Sequence, residues 1–389
     1  MSYQLLRAFG RRIRWGMVGG GLDSLIGEVH RLSARLDNRF ELVAGALSID
    51  PAIAAETAAV CLLDTSRSYT DFREMAERES EREDGVEVVT IATPPHLHAE
   101  VSKLFLSKGI DVICEKPLTR TLEEAVELER FVAERPKRLF MVTHCYTGYP
   151  LVREAQALVR DGAIGDVRQV ECDFPSGPFM TENSDRNRRH WRFRPEFMGK
   201  EAIFGEVGAH TISMAQFVSG KTPIAVSASM SILTEGRETF DDAHLLLRYP
   251  GGVLGRMWLS FVAAGNDHGL AFRVYGTKGS LIWRQTEPDT LLLQHVGRPA
   301  ERLIPGHPDR LTPEGWHACR LREGHPEGYV LAFGNLYRDF ADTFFARKLG
   351  QTFDERLFRI PTVQEGVHTM RVYEAAAQSN QRSGSWVNL

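Results

Sequence analysis

The chain has 389 residues, of which 43% are hydrophobic and 25% charged, and a formal net charge of −4. That length exceeds a single small core and predicts two domains, while a balance so near neutrality gives no bulk attraction to nucleic acid or anionic lipid. No run of about 18 apolar residues occurs, so no helical membrane span is expected. The five cysteines contain no C-x-x-C pair and suit a reducing compartment, the cytoplasm.

Arg11-Arg12 precede an apolar stretch broken by Arg14 and glycines, a poor export-signal core and a good first strand. Residues 13–18 (IRWGMV) read as that strand. They run into GGGLDSLIG and then into EVHRLSARL, where Val29, Leu32 and Leu36 mark one helical face. Gly19, Gly21 and Ser24 occupy the three places of G-x-G-x-x-G. Strand, glycine turn and helix in this order suit a dinucleotide pyrophosphate, which needs backbone amides at a helix N-terminus and no side chains in the way. A plain structural turn is the alternative, and the elements downstream favour the nucleotide reading over it. FELVAGALS (40–48) and VEVVTIAT (86–93) read as further strands, and HLHAEVSKLFLSKG as a helix stopped by Gly109. DVICE is another strand, and Thr121 with Glu124 forms a capping box opening the helix LEEAVELERFVAER. Alternating strands and helices predict a doubly wound parallel sheet.

Ligands of such sheets sit outside the carboxyl ends of the strands. TPPHLH (93–98) and EKP (115–117) lie at those ends, which places Lys116 on the cofactor rim. After the second strand a carboxylate would favour NAD and an arginine NADP. The stretch here is Leu47-Ser48-Ile49-Asp50, which leans to NAD with NADP still open.

From THCYTGYP (143–150) onward the pattern changes to alternating strands with hairpin-like turns at 250–252 and 277–279. Short turns make such neighbours antiparallel. We expect a Rossmann domain over 1–145 and an α+β domain with a large, mostly antiparallel open sheet over 146–389. Helices around 330–348 and 363–379 close the chain. The segment 298–325 reads as a long loop, and its His307, His317 and His325 lack ligand spacing, so no metal is expected.

VGGGLDSLIG, TPPHLH, CEKPLT, THCYTGYP, GEVGAHTIS and RVYGTKGSLIW, in this order, resemble the glucose-fructose oxidoreductase / inositol dehydrogenase / rhizopine catabolism (Gfo/Idh/MocA) family. The resemblance implies a nicotinamide cofactor, a sugar or cyclitol substrate, and homodimers or homotetramers built through the open sheet. It also implies that Lys116 and His210 face the carbon that exchanges hydride, with Glu206 as the accompanying acid. Residue chemistry agrees: an imidazole can take a hydroxyl proton near neutral pH and an ammonium can hold the developing alkoxide. Glu206, Ser213 and Cys145 depart from the family's usual residues at their places.

The cofactor residues expected are Gly19, Gly21, Leu22, Ser48, Asp50, Thr93, Pro94, His98, Glu115, Lys116 and Cys145. Those expected at the substrate are Lys116, Tyr146, Trp191, Arg192, Arg194 and His210. The run DRNRRHWRFRP (185–195) is either a solvated loop or a guanidinium cluster for an anionic sugar. The leading expectation is an NAD(P)-dependent oxidoreductase acting on a secondary hydroxyl or the corresponding ketone. Two others stand beside it: redox-neutral glycoside cleavage through transient C3 oxidation, and a non-catalytic nucleotide sensor, against which Lys116 and His210 argue.

Overall fold

The structure, a computed structural model, describes residues 3–177 and 193–389. The chain divides into two compact units. One holds the residues up to Thr143 together with Phe333–Val367, the other His144–Ala332 and His368–Leu389.

The first unit is built on five parallel strands, β1 (Ile13–Gly19), β2 (Phe40–Ala46), β3 (Val88–Ala92), β4 (Asp111–Cys114) and β5 (Phe140–Val142), in the spatial order β2-β1-β3-β4-β5. Val88, Val89, Ile91, Val112, Ile113 and Cys114 are all fully buried, which explains why β3 and β4 read as unbroken apolar runs: both faces of this sheet are covered. Helices α1 (Gln4–Phe9), α2 (Leu25–Arg35), α3 (Pro51–Val60), α4 (Phe72–Glu81), α5 (His98–Ser107) and α6 (Leu122–Ala133) accompany the strands. The predicted capping box opens α6, with Thr121 accepting from the Glu124 amide and Glu124 reaching back. Strand order reverses between β1 and β3, where a parallel sheet leaves a crevice at its carboxyl end.

The second unit contains a nine-stranded sheet. Its members are β6 (Val167–Pro175), β7 (Ala225–Ser231), β8 (Asp242–Arg248), β9 (Leu254–Ser260), β10 (Ala271–Gly276), β11 (Gly279–Arg284), β12 (Leu291–His295), β13 (Glu301–Leu303) and β14 (Val387–Asn388), in the order β13-β12-β11-β10-β6-β9-β8-β7-β14. All neighbours are antiparallel except β6 and β9. Burial alternates along β8 and β9, as expected where one face packs and the other stays open. Leu246 and Leu254 emerge on exposed positions of those strands. The helices of this unit include α7 (Pro150–Arg160), the short α8 (Pro195–Met198) and α9 (Ala209–Ser219), every residue of which is buried. After them come α10 (Pro313–Ala318) and, divided between the units at residues 332/333 and 367/368, α11 (Tyr329–Leu349) and α12 (Val363–Gln381).

Two expectations need correction. Residues 333–367 pack with the first unit rather than the second, because α11 carries Asp342 into a bidentate pair with the fully buried Arg39 (2.9 and 3.0 Å). The supposed loop 298–325 contains β13 and α10. Thr312 caps α10 by accepting from the Gly315 amide, with Pro313 in the first turn, a start signal that was present in the sequence.

Candidate functional site

In the first unit the glycine turn begins as β1 ends. Gly19 and Gly20 both take φ +75°, and a Cβ on Gly19 would lie 2.7 Å from the Ala92 carbonyl oxygen of β3. The turn therefore passes as close to β3 as a backbone can. Ser24, expected as the third member of the motif, instead caps α2, its hydroxyl accepting from the Gly27 amide. The close packing falls to Gly27, where a Cβ would stand 2.1 Å from the Gly20 carbonyl oxygen. Glycine in a first helical turn, where alanine would be about 1 kcal/mol better, is the signal that could have disclosed this.

Two further residues brace the turn. Arg31, buried on α2, donates to the Gly20 carbonyl, and Thr57 on α3 accepts from the Leu22 amide at 3.2 Å. Neither stands out in sequence, since each is one polar residue in a helix. Asp50 caps α3 by accepting from the Ala52 and Ile53 amides (2.8 and 3.3 Å), and the Ser48 hydroxyl accepts from the Asp50 amide at 3.1 Å. Both stand at the carboxyl end of β2, as expected.

Beyond β3, Thr93 presents a buried hydroxyl with no hydrogen-bond partner, and Pro94 leads into a turn of 3-10 helix. His98 departs from its expected place on the cofactor rim. Its ring is fully buried and turned inward, with Nε2 2.8 Å from the Thr93 carbonyl oxygen and Nδ1 2.8 Å from that of Pro117. The ring thus ties the loop after β3 to the loop after β4. Burial holds its pKa below the usual imidazole value, against the pull of both carbonyls, and a neutral ring can donate to only one of them.

Glu115 and Lys116 follow β4. Glu115 is 6% exposed, and its carboxylate accepts from the Lys116 amide at 3.1 Å and from the Thr143 hydroxyl. His30 Nε2 stands 3.2 Å from it, at hydrogen-bond distance though not aligned for a strong bond. Burial alone would raise this carboxyl; the His30 contact, the Lys116 charge and Thr143 together hold it below the usual carboxylate range. Lys116 itself is half-buried.

In the second unit Cys145 and Tyr146 lie in a short 3-10 turn, with Cys145 Sγ 3.5 Å from the Tyr329 hydroxyl. The Tyr146 ring meets His210 edge-on at 4.7 Å between centroids and also touches Phe174 and Tyr329. Burial raises the Tyr146 hydroxyl well above its usual pKa, so it keeps its proton. His210 is the second residue of α9 and is 7% exposed. Glu206 precedes it in a π-helical turn, Phe204–Gly208, whose first carbonyl accepts from the Tyr373 hydroxyl. Ser213 donates to the His210 carbonyl at 3.1 Å, a bond to backbone and no part of a proton relay. Arg194, exposed before α8, sets its guanidinium over the Phe197 ring at 5.5 Å. Trp191 and Arg192, with Arg186, Arg188 and Arg189, lie outside the described residues. Among the described residues no His, Cys, Asp and Glu group could hold a metal ion, and no helix is long and apolar enough to cross a membrane.

A reversed parallel sheet with a glycine turn at its carboxyl end, followed by an open antiparallel sheet, defines a dinucleotide-binding protein with a separate substrate domain. Residues 13–144 match the oxidoreductase family with NAD-binding Rossmann fold, and residues 152–282 the GFO/IDH/MocA C-terminal domain. The chain is 32% identical to the uncharacterized oxidoreductase YfiI of Bacillus subtilis, over 98% of both chains. It is 27% identical to levoglucosan dehydrogenase of Pseudarthrobacter phenanthrenivorans, over 84% of this chain and 89% of that one. An inositol dehydrogenase homolog from Azotobacter vinelandii, solved with NAD+ and with NADH and myo-inositol, is 35% identical over 98% of both chains, with TM-scores of 0.91 and 0.90. The chain belongs to the Gfo/Idh/MocA oxidoreductase family, with NAD as its cofactor.

The residues present fit that group. Side chains are excluded from Gly19 by the β3 backbone and from Gly20 by its φ of +75° with Met17 and Gly27 beside it, α2 offers its N-terminal amides, and the Thr93 hydroxyl remains to be satisfied.

Proposed function

We propose that this protein oxidises a secondary hydroxyl of a cyclitol or sugar, or reduces the corresponding ketone, using NAD. The carrying observation is Lys116, fixed through its amide by a buried carboxylate at the carboxyl end of β4, on the same sheet end as the glycine turn. Myo-inositol and levoglucosan, named for relatives, set the substrate class.

Gly19, Gly21, Leu22 and Thr93 to Pro94 would hold the dinucleotide, with Ser48 and Asp50 at the ribose and Cys145 as a further cofactor residue. The acid after β2 favours NAD over NADP. When bound, the cofactor supplies the two-electron acceptor. The Lys116 ammonium holds the reacting oxygen and favours its alkoxide, while His210 takes the hydroxyl proton at a ring nitrogen. Glu206, one helical turn before His210, is the accompanying acid, and Tyr146 meets the His210 ring edge-on. We place the protein in the cytoplasm, as a homodimer or homotetramer assembled on the open face of the nine-stranded sheet.

The test is a panel of myo-inositol, levoglucosan, glucose and glucuronate with NAD, followed at the reduced-nicotinamide absorbance band. Lys116→Ala is expected to lower turnover by about 10²- to 10⁴-fold while still binding NADH. Undiminished turnover would remove Lys116 from the chemistry. A rate on glucuronate well above that on glucose would assign the arginines of 186–194 to an anionic substrate.

A further inference from the structure

A line of buried polar groups runs through the first unit behind Lys116. Trp15 Nε1 on β1 donates to Thr90 Oγ1 on β3 at 2.9 Å, and Thr90 Oγ1 is 2.9 Å from the Tyr337 hydroxyl on α11. That hydroxyl is 2.7 Å from His30 Nδ1 on α2, whose Nε2 faces Glu115 at 3.2 Å. Glu115 then accepts the Lys116 amide. Every residue in this line up to Glu115 is 6% exposed or less.

The line has a direction. An indole N–H can only donate and an ionised carboxylate can only accept. Burial keeps the Tyr337 hydroxyl protonated. With a proton on His30 Nε2 the line runs one way: Thr90 donates to Tyr337, Tyr337 donates to Nδ1, and Nε2 lies 3.2 Å from the Glu115 carboxylate, close enough to steer it though not aligned for a strong bond. Packing alone does not require this arrangement, because the Tyr337 ring already meets Trp15, Phe40 and Phe333 edge-on or stacked, as a phenylalanine would. A buried polar network specifies one geometry where an apolar core would tolerate several.

We infer that His30 and Tyr337 are positioning residues for the reaction, orienting Glu115 and thereby the Lys116 peptide. This rests on the function proposed for Lys116. Neither residue touches a reacting atom; both act through the carboxylate that holds the Lys116 amide.

The experiment compares Tyr337→Phe, His30→Leu and His30→Gln, the last keeping an N–H for Glu115. Turnover of myo-inositol with NAD, NADH titration and amide hydrogen exchange of the peptide 113–119 are measured on each. We expect kcat to fall about tenfold in Tyr337→Phe and His30→Leu and to recover in part in His30→Gln, with KM and NADH affinity within about twofold of the parent. Exchange at Lys116 should quicken while exchange along β3 stays as in the parent. Unchanged kcat with unchanged Lys116 exchange overturns the inference. So does a loss of kcat accompanied by weaker NADH binding and faster exchange along β3, which would mark general loosening. If the parent oxidises none of the four panel compounds, the proposed function falls instead. Lys116 exchange then decides alone: faster there only, the inference holds; unchanged, it fails.

Discussion

Replacing Gly27 by alanine sets a methyl carbon 2.1 Å from the Gly20 carbonyl oxygen and 2.5 Å from the Gly20 carbonyl carbon and Cα. Ordinary contact begins near 3.4 Å, so helix α2 and the glycine turn must separate by about 1.3 Å. All three atoms are backbone, and no flexible side chain can yield in their place. Overpacking of this kind costs about 1–3 kcal/mol of stability. The same displacement moves the amides that would hold the pyrophosphate, and one lost hydrogen bond to a charged group, at about 1.5–3 kcal/mol, weakens NADH binding roughly 10- to 100-fold. Fluorescence titration with NADH measures the affinity, and thermal unfolding the stability. Gly162→Ala is the control. Its φ of +75° strains any side chain, but nothing lies within 4 Å of the added carbon. That variant should lose stability and keep its NADH affinity. A Gly27→Ala protein that binds NADH as the parent does would refute the assignment of this turn as the phosphate cradle.

Two further outcomes concern stability. Asp342→Ala takes the bidentate partner from the fully buried Arg39, leaving Asp37 as a more distant carboxylate at 4.0 Å, and should cost about 3 kcal/mol in urea unfolding; a change under about 1 kcal/mol would contradict that reading. Burial raises the Asp111 carboxyl to about 6 despite Arg138 and the Leu139 amide. The folded chain then holds a proton there that the unfolded chain releases near pH 4, so this residue's contribution to stability falls as pH rises through that window, by about 3 kcal/mol. Asp111→Asn should abolish that fall, seen as a smaller difference between denaturant midpoints at the two ends of the window; an unaltered difference would place the titration elsewhere.

Much of the first unit is readable because its signals are local. β1, the glycine turn and α2 succeed one another without a gap, and Thr121 with Glu124 marks the start of α6 within four residues. His98 shows where such reading stops. Its position in TPPHLH places it at a strand end, but its ring direction depends on where the Thr93 and Pro117 carbonyls come to lie, and Pro117 belongs to another loop. Arg39 with Asp342 and His30 with Tyr337 are each separated by more than 300 residues, so no spacing rule reaches them. Gly27 is legible in principle, yet Ser24 fills the motif's third place and masks it. The second unit's hairpins are readable from their turns, whereas the start of α10 is hidden in a segment rich in proline, glycine and arginine.

The large sheet ends in two stubs: three residues of β13 on one side and two of β14 on the other. Main-chain pairing with a newcomer strand needs a longer stretch of unused amides and carbonyls than either stub offers. Neither edge therefore offers a long template for lateral extension, and what β8 and β9 present on their exposed positions is side chain rather than main chain. There Leu246, Leu254 and Arg256 display side chains that a sequence change can alter without disturbing the ladder beneath.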